Sequence, residues 1–244
     1  MPNPFETNAL GSSGLSVSQL SLGAAPLGNL RNKVSEEEAF LTIEEALNSG
    51  INYVDTAPFY GYGLSEERIG RCLPKLSKRP LISTKVGKLI RPGVREGTEL
   101  FGDRQPFYLA NLDKRFIFDF SYDGVLRSHE ESLQRLGVDA VDILHIHDPD
   151  EHFTDAVHGA YRALNRLREE GSIKAVSAGM NQWEMLSKFL DHGDFDCFLL
   201  AGRYTLLDQS SLAELLPKCL LSLIHISEPT RPERISYGVF CLKK

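Results

Sequence analysis

The feature that most constrains the fold of this chain is a regular alternation of short apolar runs with longer amphipathic segments, from Leu15 to Cys219. Short apolar runs between turn residues are typical of buried strands, and longer segments with apolar residues at helical spacing are typical of helices. Their alternation predicts βα units on a parallel sheet. The predicted strands are SQLSLGAAPLG, GINYVDTA, PLISTKVG, AVDILHIHD, IKAVSAGM and FDCFLLAGRY.

The helices predicted between these strands complete about six βα units. The first has the clearest limits, because Ser35 and Glu38 form a capping-box pattern at its start and Gly50 follows its end. Serial units of this kind predict a (β/α)₈ barrel or a doubly wound sheet. The predicted helices are SEEEAFLTIEEALNSG, LSEERIGRCLPKLS, SYDGVLRSHEESLQRLGV, FTDAVHGAYRALNRLREEG, QWEMLSKFLDHG and SSLAELLPKC.

One long segment, residues 93–120, interrupts this alternation after the third predicted strand and is rich in Gly, Arg and aromatic residues. Segments of this length inside a compact domain are often lids or binding loops. We therefore predict a lid on the substrate side of the site. The alternative is that its FIFDF part is only a packing patch.

Composition excludes several classes of protein. The net charge of −6 argues against a nucleic-acid surface, because binding phosphates takes a basic patch. We predict no signal peptide and no membrane span, since no basic and apolar leader opens the chain and no apolar run approaches about 18 residues. The cysteines form no CxxC pair and are expected to be reduced thiols of a cytoplasmic protein: Cys72, Cys197, Cys219 and Cys241.

Polar side chains follow three successive predicted strands at the points where those strands end. Asp55 ends the second strand and Tyr60 lies in the loop after it. Lys85 lies at the tip of the third strand, and His147 at the tip of the fourth, two residues after His145. Each has an ordinary structural explanation by itself, as a turn, packing or core residue. Together, on adjacent parallel strands, they are expected to converge at one end of the sheet.

This combination of residue types suits proton transfer at a carbonyl or alcohol. A phenol has a reference pKa near 10, and a nearby ammonium group favours the phenolate. A carboxylate can hold that ammonium charged and oriented, and a neutral imidazole can position the substrate oxygen while hydride moves to or from a cofactor. We predict no metal site, because the candidate ligands of HIHDPD all lie in one strand and its turn.

The segments VDTAPFYGYGLSEERIG, STKVG and VDILHIHDPD resemble the signature segments of the aldo-keto reductase superfamily of NAD(P)-dependent (β/α)₈-barrel oxidoreductases. The resemblance implies a catalytic tetrad of Asp55, Tyr60, Lys85 and His147. Tyr60 would be the general acid or base, tuned by the Lys85–Asp55 pair, and His147 would orient the substrate oxygen.

The segments FDFSYDGVLRSHEESLQRLGVDAVDILHIHDPD and LLAGRYTLLDQ are similar to the superfamily's branch of L-fucose, D-threo-aldose and pyridoxal 4-dehydrogenases. The resemblance implies a small sugar or pyridoxal-type substrate and a pocket that Phe59 and Trp183 help to line, although both could equally be packing residues. An NADPH-dependent aldehyde or ketone reductase and a regulatory barrel like the potassium-channel β subunits are the alternatives.

The resemblance also implies contacts to the nicotinamide cofactor. Asn181 matches the residue that holds the carboxamide, and Tyr204 matches the aromatic residue that stacks on the nicotinamide. Two neighbouring positions depart from the family pattern: Met180 stands where a Ser is usual, and Ala201 where a Gln is usual. The choice between NAD and NADP and the oligomeric state stay open.

The last segment, residues 221–244, has neither a strand nor a helix period. Its LSLIHISEPTR and ISYGVFCL parts resemble translated sequencing-library adapters. We therefore expect an aldo-keto reductase barrel over residues 1–220 that lacks strands seven and eight, and a non-native tail in which His225 is no ligand. Open edges on the first and sixth strands would make such a chain poorly soluble and inactive.

Overall fold

The computed structural model describes residues 5–222, 224–229 and 238–241. Strands and helices alternate in it as the sequence predicts. The strands are β1 (Thr7–Ala9), β2 (Ser16–Ser18), β3 (Leu20–Gly23), β4 (Tyr53–Asp55), β5 (Leu81–Val86), β6 (Lys88–Pro92), β7 (Lys114–Phe118), β8 (Ile143–His147), β9 (Ala175–Met180), β10 (Cys197–Leu200), β11 (His225–Pro229) and β12 (Gly238–Cys241).

The helices pack around the strands. A π-helical stretch, Ala156–Tyr161, joins the fourth helix to the fifth. The α-helices are α1 (Glu36–Asn48), α2 (Leu64–Cys72), α3 (Tyr122–Leu136), α4 (Phe153–Asp155), α5 (Arg162–Glu169), α6 (Trp183–Phe189) and α7 (Leu215–Leu221). Among the described residues, no helix is long and apolar enough to cross a membrane.

The start of α1 is fixed locally, as its sequence predicts. The Ser35 hydroxyl accepts a hydrogen bond from the Glu38 N–H, and the Glu38 carboxylate accepts one from the Ser35 N–H. Two of the helix's unpaired N–H groups are thereby satisfied. Its position then follows from burial of Ala39 and Ile43 against the sheet.

Six strands form the parallel sheet that was predicted. They lie in the order β3, β4, β5, β8, β9 and β10, and each pairs with the next in parallel. Side chains on one side of the pleat point into the ring that this curled sheet forms. The register places Lys85 beside His145 and His145 beside Ser177, and His147 lies two residues further toward the carboxyl end.

The two edges of this sheet do not stay open, so the expectation of unpaired edges is wrong for the described residues. Strand β11 pairs in parallel with β10, and β12 pairs antiparallel with both β11 and β3, which closes the ring. Free N–H and C=O groups of an edge strand pair with any extended segment that reaches them. The seventh and eighth places are therefore filled, but β12 runs against the direction of an all-parallel (β/α)₈ barrel.

The amino end of the ring is closed by apolar side chains. Strands β1 and β2 form an antiparallel pair. Leu10 and Val17 pack there against residues at the lower ends of the barrel strands. The carboxyl end is thus the end left for a site, which is where barrels of this kind place their chemistry.

Residues 93–120 belong to an ordered subdomain in which β6 and β7 form an antiparallel hairpin. Its aromatic side chains pack with those of the loop after β4, in a cluster of Tyr62, Tyr108 and Phe116 with the partly buried Phe59 and Tyr60. The segment therefore lies on the side of the barrel where the sequence predicts the site. That it acts as a lid stays a prediction.

Candidate active site

A buried ion pair joins Asp55, at the end of β4, to Lys85, near the end of β5. Lys85 Nζ donates to Asp55 Oδ1 at 2.7 Å, to Oδ2 at 2.6 Å and to the Thr56 carbonyl oxygen at 2.8 Å. The exposed fractions of the two side chains are only 4% for Asp55 and 2% for Lys85. Charges this deeply buried require partners, and each residue supplies the other's.

Tyr60 lies in the loop between β4 and α2 and is half-buried. The Lys85 ammonium lies 4.9 Å from the centre of the Tyr60 ring. The Tyr60 N–H donates to the Ala57 carbonyl at 3.0 Å, and its carbonyl accepts from the Ser65 N–H at 3.1 Å. Both ends of the residue's backbone are therefore fixed, and the ring lies against a positive charge.

The loop that carries Tyr60 approaches a second loop very closely at Gly28 and Gly61. Gly61 has a φ of +68°, and a Cβ atom on it would overlap the backbone of Gly28. A Cβ atom on Gly28 would in turn lie 2.5 Å from the Gly61 nitrogen. Only glycine at both positions permits this approach. The pair therefore sets how deep the Tyr60 loop sits over the barrel.

His147 is the last residue of β8 and is buried beside Tyr60. The two rings stand edge to face, with their centres 6.1 Å apart and their planes at 90°. His147 Nε2 lies 3.4 Å from Asp148 Oδ2, whereas Nδ1 has no hydrogen-bond partner in the described structure. Burial, with help from the Lys88 charge, holds the pKa of His147 well below its usual range. The ring is therefore neutral at physiological pH, and Nε2 is its donor.

A second ion pair, which the sequence did not reveal as part of the site, borders His147. Lys88 Nζ donates to Asp148 Oδ2 at 2.7 Å, and Lys88 lies 5.0 Å from the Phe59 ring and 5.2 Å from the Phe116 ring. Burial is the largest influence and raises the pKa of Asp148, but the charge of Lys88, the neighbouring His147, the hydrogen bond from Lys88 and the charge of Lys85 together outweigh it and bring that pKa to about 2. The only signal for Lys88 was its place just after a strand end.

The predicted cofactor residues lie at the same end of the barrel as the tetrad. Asn181 directly follows β9 and Tyr204 follows β10, and both are half-buried. Tyr204 packs against the main core. Met180, at the position where the family has Ser, is only 1% exposed.

The two predicted pocket residues have different surroundings. Phe59 is the centre of an edge-to-face aromatic cluster, with ring centres 5.1–5.6 Å from those of its neighbours Tyr62, Tyr108 and Phe116. Trp183 begins α6 and packs against the main hydrophobic core. Phe59 also lies 6.3 Å from the His147 ring, so it borders the tetrad directly.

In the part of the chain that the structure describes, no group of three or more His, Cys, Asp or Glu side chains is arranged to hold a metal ion. His145 and His147 lie on the same side of the pleat, but each has different neighbours. His145 contacts Tyr53 and Ser177 inside the ring, and His147 contacts Tyr60 at the mouth.

Comparison with known proteins identifies the family. The sequence profile of the Aldo/keto reductase family matches residues 19–224. The chain is 42% identical to pyridoxal 4-dehydrogenase of Microbacterium luteolum, over 87% of this chain and 66% of that protein. It is 38% identical to D-threo-aldose 1-dehydrogenase of a Pseudomonas species (94% and 74%) and 35% identical to L-galactose dehydrogenase of Arabidopsis thaliana (87% and 61%). The chain thus spans about two thirds of the length of these relatives.

Solved structures share the fold. A Pseudomonas aeruginosa aldo-keto reductase superimposes with a TM-score of 0.70 at 28% identity, over 90% of this chain and 76% of that one. Glycerol dehydrogenase of Gluconobacter oxydans superimposes with a TM-score of 0.72 at 23% identity, over 92% of this chain and 63% of that one. The second likeness concerns the fold alone.

Proposed function

Because the chain belongs to the aldo/keto reductase family, we propose that it carries the catalytic half of an NAD(P)-dependent oxidoreductase site for a sugar or pyridoxal-type substrate. The observation that carries this proposal is the position of Lys85. Its ammonium group is bound by both oxygens of Asp55 and lies 4.9 Å from the Tyr60 ring.

Tyr60 is the proton-transfer group in this proposal. A positive charge near a phenol stabilises the phenolate, so Lys85 makes Tyr60 a better base for a substrate hydroxyl at neutral pH. When an alcohol or hemiacetal is oxidised, Tyr60 takes the hydroxyl proton as the hydride leaves carbon. In the reverse direction Tyr60 returns that proton to the carbonyl oxygen.

His147 orients the substrate oxygen. Because the ring is neutral, its Nε2–H is a hydrogen-bond donor and carries no charge that would compete with the proton transfer. In the free protein Asp148 Oδ2 is an acceptor 3.4 Å from this nitrogen. A substrate oxygen placed between His147 and Tyr60 would take that acceptor's place.

The residues at the mouth fit the nicotinamide end of a dinucleotide. A side-chain amide, Asn181, matches a carboxamide in donors and acceptors, and a half-buried aromatic ring, Tyr204, can lie against a flat heterocycle. A bound nicotinamide supplies the hydride donor or acceptor. Both NAD and NADP are compatible with Asn181 and Tyr204, since the two cofactors share the nicotinamide and differ only at the adenosine end.

The relatives' names suggest the substrate class. Two of them act on aldoses or galactose by name and one on pyridoxal. We propose oxidation at the anomeric carbon of a sugar, or of a pyridoxal-type hemiacetal, with Phe59 and Trp183 beside the substrate. An NADPH-dependent aldehyde or ketone reductase is the alternative, since the same four residues serve both directions.

We further propose that the barrel domain ends near residue 220 and that residues 221–244 contribute no functional group. The family match supports this limit, since it ends at residue 224. The resemblance to the superfamily also implies that the residues that hold the adenosine phosphates follow the sixth helix. We therefore expect that this chain by itself does not turn over substrate.

The test joins the proposed domain to the last portion of a relative. Residues 1–220 are joined to the matching last portion of D-threo-aldose 1-dehydrogenase, and the product is assayed with L-fucose and pyridoxal, each with NAD⁺ and with NADP⁺. The proposal expects cofactor reduction with at least one pair. A folded hybrid that binds cofactor but reduces none with any sugar or pyridoxal would contradict it. The unmodified chain is the control and is expected to be inactive.

A further inference from the structure

His145 lies inside the ring, one layer below His147, in a position that the tetrad does not use. The interior of a barrel is usually filled by branched apolar side chains. Here the neighbouring interior positions of β4, β5, β8 and β9 are polar: Tyr53, Ser83, His145 and Ser177, all at most 2% exposed. His145 Nδ1 lies 2.7 Å from Ser177 Oγ, and Nε2 lies 3.4 Å from the Tyr53 hydroxyl.

The direction of each hydrogen bond follows from the number of protons available. Asp55 is a carboxylate and can only accept, so the Ser83 hydroxyl donates its single proton to Asp55 Oδ1, at 2.6 Å. Ser83 must then accept from the Tyr53 hydroxyl, at 2.8 Å. The Tyr53 oxygen is left as an acceptor toward His145.

The same reasoning fixes the tautomer of His145. Its Nε2 faces two acceptors, the Tyr53 oxygen and Asp55 Oδ1, the latter at 3.6 Å. Nε2 therefore carries the proton. The Ser177 hydroxyl has two acceptors within reach, the Ala178 carbonyl at 3.4 Å and His145 Nδ1 at 2.7 Å, and it donates to the nearer one, Nδ1. Burial is also the largest influence on the ring and lowers the pKa of His145 to about 3, so that it stays neutral.

We propose that His145 is a positioning residue for the Asp55–Lys85 pair, as the neutral Nε2–H link in a one-way chain of hydrogen bonds. The chain runs from Ser177 to His145, Tyr53 and Ser83 and ends on Asp55. Every link donates toward the carboxylate. This chain of hydrogen bonds therefore stabilises the negative charge of Asp55 from the layer below it. It also fixes Oδ1, one of the two oxygens that Lys85 contacts from above.

The geometry of Asp55 shows why such support matters. Oδ1 accepts from Lys85 and Ser83 and faces His145, whereas Oδ2 accepts from Lys85 at 2.6 Å. Without His145 the Tyr53 and Ser83 hydroxyls lose the donor that orients them toward Oδ1, so the carboxylate is freer to rotate, and Lys85 then moves relative to the Tyr60 ring. Only this last consequence rests on the proposed function. The tautomer of His145 and the direction of the hydrogen bonds do not.

The first experiment determines the tautomer in the full chain labelled with ¹⁵N-histidine. Long-range ¹H–¹⁵N spectra are recorded from pH 5 to pH 8, and the signal lost in His145→Gln is assigned to His145. We expect Nε2 protonated, Nδ1 unprotonated and no titration in this range. An Nδ1–H tautomer, or a ring that gains a proton in this range, would overturn the proposal whatever the protein's activity.

The second experiment measures the effect on Tyr60 in ¹³Cζ-tyrosine-labelled chain, with Tyr60→Phe for assignment. In His145→Leu we expect the phenol to titrate about one pH unit higher, the size of a weakened charge contact. His145→Gln can still donate to Tyr53 and accept from Ser177, so it should restore the original titration.

The matched control is His129→Leu, which removes another buried histidine. His129 lies in α3, outside the ring, and its Nδ1 has no hydrogen-bond partner in the described structure. This control should leave the Tyr60 titration unchanged. If His145→Leu also left it unchanged, or if His129→Leu shifted it equally, His145 would be a structural residue only. If His145→Leu does not fold, the tautomer of His145 still decides.

Discussion

The substitution Asp55→Asn should be among the most destabilising single changes in this protein. Lys85 Nζ donates to three oxygens, of which Asp55 supplies two, and both side chains are almost completely buried. Removing one partner of a buried pair leaves an uncompensated charge, which costs about 3–5 kcal/mol. We therefore expect the free energy of unfolding to fall by about that amount.

A double-mutant cycle separates the ion pair from simple packing. In Asp55→Asn combined with Lys85→Met no charge stays buried, so the double variant should be less destabilised than the sum of the single variants by about 2 kcal/mol. The measurement is urea unfolding followed by circular dichroism at pH 7. The reasoning fails if Asp55→Asn costs less than about 1 kcal/mol, or if the two costs simply add.

An exposed ion pair provides the control for this cycle. Arg166 Nε lies 2.7 Å from Oε1 of Glu170, the residue that caps the carboxyl end of α5, and the exposed side-chain fractions are 64% and 47%. Solvent screens such a pair, so Glu170→Gln should change the unfolding transition very little. A loss as large as that of Asp55→Asn would mean that removal of any carboxylate destabilises the chain.

Further predictions concern other parts of the molecule. Because burial lowers the pKa of His145 to about 3, the unfolded state alone takes up a proton below pH 6.5. The stabilisation that neutral His145 provides is therefore complete above pH 6.5, and it falls by about 1.4 kcal/mol per pH unit from there toward pH 3. In His145→Gln this loss is absent, so the free energy of unfolding measured with urea should depend less steeply on pH. Arg95 donates to the carbonyls of Tyr108, Asn111 and Lys114, so Arg95→Gln should speed chymotrypsin cleavage within residues 93–120; unchanged cleavage would contradict this. A chain that stops after Leu220 loses β11 and β12 and should self-associate in light scattering through the free edges of β3 and β10, whereas a monodisperse product would contradict ring closure by these strands.

Local signals in the sequence were enough to predict the six parallel strands and the helices between them. Four of the six strands, β4, β8, β9 and β10, are buried on both faces, and Ser35 and Glu38 cap their helix in the way that their spacing indicates. The end of each strand could be read as well, and this is why Asp55, Lys85 and His147 were expected to meet at one mouth. The parallel register then brings them together.

Features that depend on contacts between distant segments could not be predicted. Lys88 belongs to the site because it forms an ion pair with Asp148, which is 60 residues away in the sequence and follows a different strand. The polar chain through His145 depends on a register that no local pattern encodes. The closure by β11 and β12 was missed because their segments lack a strand period, and the pairing there comes from the free edges that they meet.

The most direct measurement of the central claim compares Tyr60 with Tyr60→Phe in the hybrid of residues 1–220 and the last portion of D-threo-aldose 1-dehydrogenase. The rate of cofactor reduction by a sugar and the affinity for the cofactor are measured together. If Tyr60 is the acid or base, the rate in Tyr60→Phe should fall by at least about 100-fold while cofactor affinity stays nearly unchanged. A Tyr60→Phe hybrid that keeps most of its rate would contradict the assignment.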